Sequence, residues 1–188
     1  MSTDLVYASD SIAPALTAAV LSRLSQEKGT HRHRLISPAS KSRLNALIAD
    51  AEAQGATIHR TFAPSDDPDD TTYPPTIIAN LTPSMQFYNT ESFGPVLGIV
   101  STSSESDSVD LVSQSTYGLS AAIFTTSHFR ALKLAERIQA GAVHVNSMTV
   151  HDEPTLPHGG KGESGFGRFG ARWGVEEFLE TRMVVLNP

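Results

Sequence analysis

The sequence predicts an α/β fold, an open and largely parallel sheet flanked by helices. Two patterns carry the expectation. Short apolar runs bounded by turn residues, such as Leu5-Val6-Tyr7-Ala8, Ile77-Ile78 and Val96 to Val100, read as buried strands. Between several of them stand segments with apolar residues three and four apart, the period of a helix with one buried face. Strands that alternate with helices give a sheet whose strands run mostly parallel, because each helix carries the chain back across the sheet. At 188 residues, 39% apolar and 18% charged, one globular domain (1–188) is the default. Such a chain buries roughly 70% of its unfolded surface.

Leu5 to Ala8 is the first strand. Ser11 is placed to cap the helix after it, whose Ile12, Leu16, Val20 and Leu24 recur every four residues, with Gly29 as its stop. Thr30-His31-Arg32-His33-Arg34 reads as a solvated basic loop, since two histidines without a nearby carboxylate or cysteine make a poor ligand set. Ser37-Pro38 is a helix start, Ser as N-cap and Pro in the first turn. Leu44, Leu47, Ile48 and Ala51 form its buried stripe and Gly55 closes it. Ala56-Thr57-Ile58 begins the next strand. Ser65 to Asp70 holds four carboxylates and a proline but lacks the Gly and distal Glu of a calcium loop, so an exposed, mobile loop is expected.

Tyr73-Pro74-Pro75-Thr76-Ile77-Ile78 enters a strand, and Pro95 introduces Val96 to Val100. Ser104, three residues before Asp107, marks a capped helix with Val109 and Val112 on its apolar face. Ser120 to Phe124 reads as a buried strand. Arg130 to Ile138 reads as a helix with Leu132, Ala135 and Ile138 inward, and Gly141 as its left-handed stop. Val143 and Val145 form a short strand ending at Asn146. Val175 to Leu179 is expected as a helix and Met183 to Leu186 as a last strand.

Composition removes several functions. A net charge of −6 offers no footprint for nucleic acid or an anionic membrane. No cysteine is present, hence no disulfide, thiolate metal site or Cys nucleophile. The N-terminus lacks the basic-then-apolar order of a signal peptide, and no apolar run reaches membrane-spanning length, so a cytoplasmic protein is expected.

The chemistry concentrates between Ala140 and Gly170. His151, Asp152 and Glu153 precede a run of glycines at 159, 160, 162, 165, 167 and 170, a density that implies positive φ or close backbone approach. A loop this long in a compact domain is usually functional or disordered, and these side chains favour function. As acid–base candidates, His151 and His158 are preferred, since imidazole titrates near neutral pH, with Asp152 and Glu153 beside them. The competing role for the two carboxylates is loop anchoring, through the backbone or Arg168 or Arg172. Lys161 is a weaker option, a Schiff-base amine that needs desolvated surroundings. No metal is expected.

Three motifs in order carry a family resemblance: Glu91-Ser92-Phe93-Gly94-Pro95-Val96, Tyr117-Gly118-Leu119-Ser120-Ala121-Ala122-Ile123-Phe124-Thr125, and the stretch from Ala140 to Gly170 with its Val143-His144-Val145-Asn146, Pro157-His158-Gly159-Gly160 and Ser164-Gly165-Phe166-Gly167-Arg168. Together they resemble the aldehyde dehydrogenase superfamily. The Thr149-Val150-His151-Asp152-Glu153-Pro154 wording is most similar to its salicylaldehyde and aromatic-aldehyde branch. The resemblance covers only the part of the family that follows the catalytic Cys, with Met1-Ser2-Thr3 matching the point just after it. It implies a catalytic domain without the dinucleotide-binding domain, the base Glu or the oxyanion Asn. It also implies that Glu91 is the residue that would bind the nicotinamide ribose and Phe93 the one that would pack beside the ring. Phe93, Asn146, Met148 and Thr149 become the substrate-binding candidates, around a pocket of Phe93, Met148, His151 and His158. Two departures stand out. Lys161-Gly162 reverses the family's usual order, and His158 replaces an aromatic residue.

From these readings no cofactor is expected, since two nicotinamide contacts and no phosphate cradle cannot hold a dinucleotide. The function expected is a non-redox enzyme that binds an apolar or aromatic carbonyl compound for cofactor-independent cyclisation, isomerisation, condensation or dehydration, in the setting of secondary metabolism. Two alternatives stand beside it: a non-catalytic partner of a full-length dehydrogenase, and a degenerate NAD-dependent dehydrogenase. Residues 181–188 would be a terminal oligomerisation strand joining a homodimer.

Overall fold

The computed structural model describes residues 2–26 and 33–188. The expected stop at Gly29 and the first part of the basic tract, residues 30–32, lie outside the described residues. The chain divides into two compact units, 2–114 and 115–188, where length alone set one domain as the default.

The first unit is an α/β layer. Strands β1 (Leu5–Ser9), β2 (His33–Arg34), β3 (Thr57–Arg60), β4 (Thr72–Tyr73), β5 (Thr76–Ala79) and β6 (Val96–Thr102) alternate with helices α1 (Ala13–Gln26), α2 (Pro38–Ala53) and α3 (Glu105–Ser113). The main sheet has the order β1-β6-β5-β3. β1 and β5 run parallel to β6, with Leu5 opposite Gly98 and Thr76 opposite Val96, while β3 is an antiparallel edge. The largely parallel sheet is as the sequence predicts. Tyr73 to Ile78 is divided rather than continuous, because Pro74 and Pro75 have no N–H to give a ladder.

Helix α2 forms for the reasons its sequence gives. Ser37 is extended and its Oγ accepts from Ser40 N at 3.1 Å, with Pro38 following. Leu44, Leu47, Ile48 and Ala51 are buried, and Gly55 beyond the end takes φ +99°. They join Leu35, Tyr73, Ile78, Met85 and Phe87 in one core. Truncating Leu44 or Ile48, both 0% exposed, to Ala costs about 2–5 kcal/mol. The Ser104 cap is equally legible: its Oγ accepts from Asp107 N at 3.1 Å, and Val109 is buried. Helix α1 starts at Ala13 rather than Ile12, which is 58% exposed.

The acidic loop is tied down by a residue the sequence reading passed over. Lys41, 4% exposed on α2, donates from Nζ to the carbonyls of Asp67 and Asp70, each at 2.7 Å. Asp70 Oδ1 in turn accepts from Thr72 N at 2.9 Å. A buried ammonium needs acceptors, and loop carbonyls supply them.

The second unit holds β7 (Tyr117–Gly118), β8 (Ser120–Ile123), helix α4 (His128–Ala135), β9 (Ala142–Val145), β10 (Lys161–Gly162) and helix α5 (Ala171–Glu176). β8 pairs parallel with β9, Ser120 opposite Ala142, and β10 pairs antiparallel with β7. Five expectations are corrected here. β8 is half-buried, and Phe124 beyond it is 73% exposed. α4 is capped by Ser127 and buries Ala131, while Leu132 is 63% exposed. The assumed three-residue steps drift by about 60° each on a helix of 3.6 residues per turn. Gly141 is not a left-handed stop, since its φ is not positive. Helix α5 lies earlier than Val175 to Leu179, because Phe178 and Leu179 donate only three residues back, to Val175 and Glu176, tightening the end into turns. Residues 179–188 form no strand in the chain by itself, and Met183 to Leu186 are exposed.

Candidate functional site

In the first unit, the turn from Glu91 to Val96 is held from two sides. Asp4 accepts from the Ser92 amide (2.9 Å) and hydroxyl (2.7 Å). Arg43 on α2 donates to the carbonyls of Glu91 (3.0 Å) and Ser92 (2.6 Å). The turn they hold presents Phe93 75% exposed at φ +49°. A bulky residue in the left-handed region is an outlier that costs about 1–2 kcal/mol and persists only where the surroundings enforce it. Neither Asp4 nor Arg43 carries a sequence signal, since their partners lie 88 and 48 or 49 positions away.

In the second unit, the loop after β9 carries the remaining candidates. Asn146, at φ +55°, uses its whole amide on Thr125: Oδ1 accepts from Thr125 N at 2.9 Å and Nδ2 donates to Thr125 O at 2.8 Å. The geometry therefore gives Asn146 a bracing task. Met148 is 66% exposed, and Thr149 is buried, its carbonyl accepting from Ser120 Oγ at 3.3 Å.

His151, Asp152, Glu153 and His158 form two interleaved imidazole–carboxylate pairs. His151 Nε2 meets Glu153 Oε1 at 3.0 Å, and His158 Nδ1 faces Asp152 Oδ1 at 3.7 Å. The anchoring alternative through Arg168 or Arg172 is corrected: the carboxylates face histidines, Arg168 serves the glycine loop, and Arg172 lies over Trp173. His144 on β9 enters as a residue the sequence reading missed. Its ring stands edge-on to His151 at 5.8 Å, and its Nε2 is the one buried side-chain nitrogen or oxygen without a partner among the described residues. Lys161 is exposed on β10 with Nζ 3.5 Å from Gln139 Oε1, so it lacks the desolvation a Schiff-base amine needs. Among the described residues no three His, Asp or Glu side chains stand where they could hold a metal ion.

The glycine run folds against its own backbone. A Cβ on Gly141 would lie 1.6 Å from the Gly159 carbonyl oxygen, and one on Gly160 2.4 Å from that of Ser164. Arg168 binds across the loop, Nη1 donating to the carbonyls of Gly160 and Gly167, while its amide donates to Glu177 Oε1 at 3.0 Å. These approaches leave no room for a side chain at Gly141 or Gly160. The family resemblance implies Glu91 and Phe93 as nicotinamide contacts and no phosphate cradle among these glycines.

The aldehyde dehydrogenase family matches residues 1–184. The chain belongs to the aldehyde dehydrogenase family. Over 153 residues it is 38% identical to a vanillin dehydrogenase from Pseudomonas fluorescens, 81% of this chain and 31% of that one. A benzaldehyde dehydrogenase [NAD(+)] from Pseudomonas putida is 34% identical over 157 residues, 82% of this chain and 31% of that one. The crystal structure of a salicylaldehyde dehydrogenase from Pseudomonas putida G7 complexed with salicylaldehyde superposes with a TM-score of 0.85 at 27% identity, covering 98% of this chain and 39% of that one. The chain spans about a third of the length of the relatives it matches. Among its described residues no helix is long and apolar enough to cross a membrane.

Proposed function

We propose that this chain forms the aldehyde-facing part of the catalytic domain of a dehydrogenase for aromatic aldehydes, with the loop 146–170 receiving the substrate. The observation that carries it is the pair of imidazole–carboxylate contacts on that loop, alongside similarity to enzymes named for vanillin, salicylaldehyde and benzaldehyde. Those names share an aromatic aldehyde and differ in whether the ring carries a hydroxyl. The 188 residues hold no cysteine, so oxidation of the aldehyde needs a thiol nucleophile and a dinucleotide site from outside them. Glu91 and Phe93 are proposed as the contacts this chain adds to the nicotinamide end. The cytoplasm is proposed as its compartment.

Calorimetry on the 188-residue chain with benzaldehyde and with NAD tests this reading. Binding of the aldehyde without useful binding of NAD, and without NADH formed from the two together, is expected. Absence of aldehyde binding overturns the reading, and so does NAD reduction by the chain itself.

A second reading is the cofactor-independent acid–base enzyme that the sequence motivates. The His151–Glu153 contact favours it, because a carboxylate orients an imidazole for proton transfer. The relatives' names favour the dehydrogenase. Under this second reading, His151→Ala or His158→Ala lowers turnover of a carbonyl substrate about 10²–10⁴-fold. Full turnover in both variants removes it. The scaffolding alternative has no observation of its own.

A further inference from the structure

Residues 171–188 are held to the second unit by little. None of them is buried, and only Trp173 and Gly174 are half-buried. Helix α5 accordingly buries no side chain, and Phe178, Leu179, Met183 and Leu186 beyond it stand exposed. One polar grip anchors the segment. The Arg168 amide donates to Glu177 Oε1 at 3.0 Å, and Gly167, having no side chain, lets that carboxylate come close.

The segment joins the unit through a strained bend. Gly170 takes φ +98° beneath the Leu156 carbonyl, where a Cβ would not fit, and Ala171 follows at φ +43°. A left-handed glycine costs little, but a left-handed alanine carries a penalty worth about 5- to 30-fold in an equilibrium constant. The first turn of α5 closes back on the bend, the Trp173 and Gly174 amides both donating to the Gly170 carbonyl. Backbone bonds therefore hold the bend, with no buried side chain of 171–188 to enforce it.

A short strained hinge beside a weakly packed arm favours exchange of the arm between identical chains, because exchange keeps the same contacts and releases the bend. We infer that residues 171–188 swing about Gly170–Ala171 and exchange between two copies of the chain, so that Glu177 of one copy accepts from the Arg168 amide of the other. A second copy suits the arm because it presents the same Gly167–Arg168 receptor that the arm already fits. Opening the bend lets Ala171 leave the left-handed region, and the apolar side chains of two arms can then cover one another. Each glycine loop is completed by a carboxylate from the other copy. The inference is independent of what the loop binds, and it gives the expected homodimer a geometry.

Sedimentation equilibrium of the 188-residue chain, with NMR of mixed-label dimers, tests the exchange. The chain should dimerise. Ala171→Gly, which accommodates the bend without strain, should raise the dimer dissociation constant about 5- to 30-fold. A 15N-labelled copy unfolded and refolded together with a 13C-labelled copy should show a contact across copies, from the Arg168 amide proton to the Glu177 side chain. That reading needs no variant. A chain that stays monomeric overturns the inference and the homodimer with it. A dimer in which the contact is confined to single copies, or whose dissociation constant is unchanged in Ala171→Gly, overturns the exchange and leaves two chains joined through residues 181–188 without it.

Discussion

Asp4 grips Ser92 twice across 88 positions of sequence, taking the backbone amide at 2.9 Å and the hydroxyl at 2.7 Å. This places a carboxylate at the start of β1 in charge of the turn that presents Phe93. Hydrogen bonds to a charged group contribute about 1.5–3 kcal/mol each when one partner is removed. Asp4→Ala should therefore lower unfolding free energy by about 2–3 kcal/mol in urea titrations, and Asp4→Asn by less. A change within about 0.5 kcal/mol would show that Arg43 alone holds the turn.

The glycine loop yields a contrast between two substitutions. Gly141→Ala would drive a methyl into the Gly159 carbonyl, which backbone cannot yield without moving the loop. It should prevent folding of the second unit or cost several kcal/mol, about 3 or more. Gly174→Ala, in helix α5, meets nothing nearer than 3.8 Å and should stabilise by about 0.5–1 kcal/mol. Thermal unfolding of both variants checks the pair, and equal effects would mean that the loop approach is not as drawn.

Lys41 offers a test of the acidic loop. Lys41→Met keeps length and apolar packing but removes both donors to the Asp67 and Asp70 carbonyls. We expect a loss of about 1–3 kcal/mol and faster proteolytic cleavage between Ser65 and Asp70. An unchanged cleavage rate would show that the loop does not depend on this ammonium.

Stability should fall at both ends of the pH range. Hydrogen bonding from Thr72 holds the Asp70 carboxyl below the usual range. A carboxyl depressed in the folded state contributes stability above its unfolded value of about 3.9 and loses it as pH drops through the folded value. Tyr7 and Tyr73 are pushed up, mainly by burial, with the Tyr88 hydroxyl adding to the shift at Tyr7. Their contribution is present below about pH 10, where the unfolded phenol ionises, and is lost as pH rises toward the folded values. Tyr7→Phe should flatten the alkaline limb and Asp70→Asn the acid limb in denaturation curves taken across pH. Limbs that stay unchanged in these variants would assign the losses to other groups.

The end of the chain carries the assembly prediction. Phe178, Leu179, Met183, Val184, Val185 and Leu186 are each at least 66% exposed. Apolar segments of this kind are usually covered or paired, and a homodimer joined through residues 181–188 is proposed. Light scattering should give a dimer for the full chain and a monomer or aggregate for a chain ending at Glu180. A monodisperse monomer in both would exclude it.

Sequence by itself determined what depends on near neighbours. The caps at Ser37 and Ser104 and the buried stripe of α2 follow from hydrogen bonds and periods spanning a few residues, so they can be read along the chain. The α/β class followed too, because alternation of strand and helix leaves few ways to bury apolar faces. The residues of the candidate loop were legible through their motif, since His151, Asp152, Glu153 and His158 stand close together in sequence. Only the tertiary structure decided how they pair, because Asp152, one residue from His151 and six from His158, and Glu153, two and five residues from them, can each serve either. It alone assigned Asp4 to Ser92, Lys41 to the acidic loop, Arg168 to the glycine carbonyls and His144 to an unpartnered place beside His151. The role of Gly141 was likewise hidden. A glycine at a helix end and a glycine beneath another strand of backbone look identical in one dimension, and only the approach of Gly159 separates them.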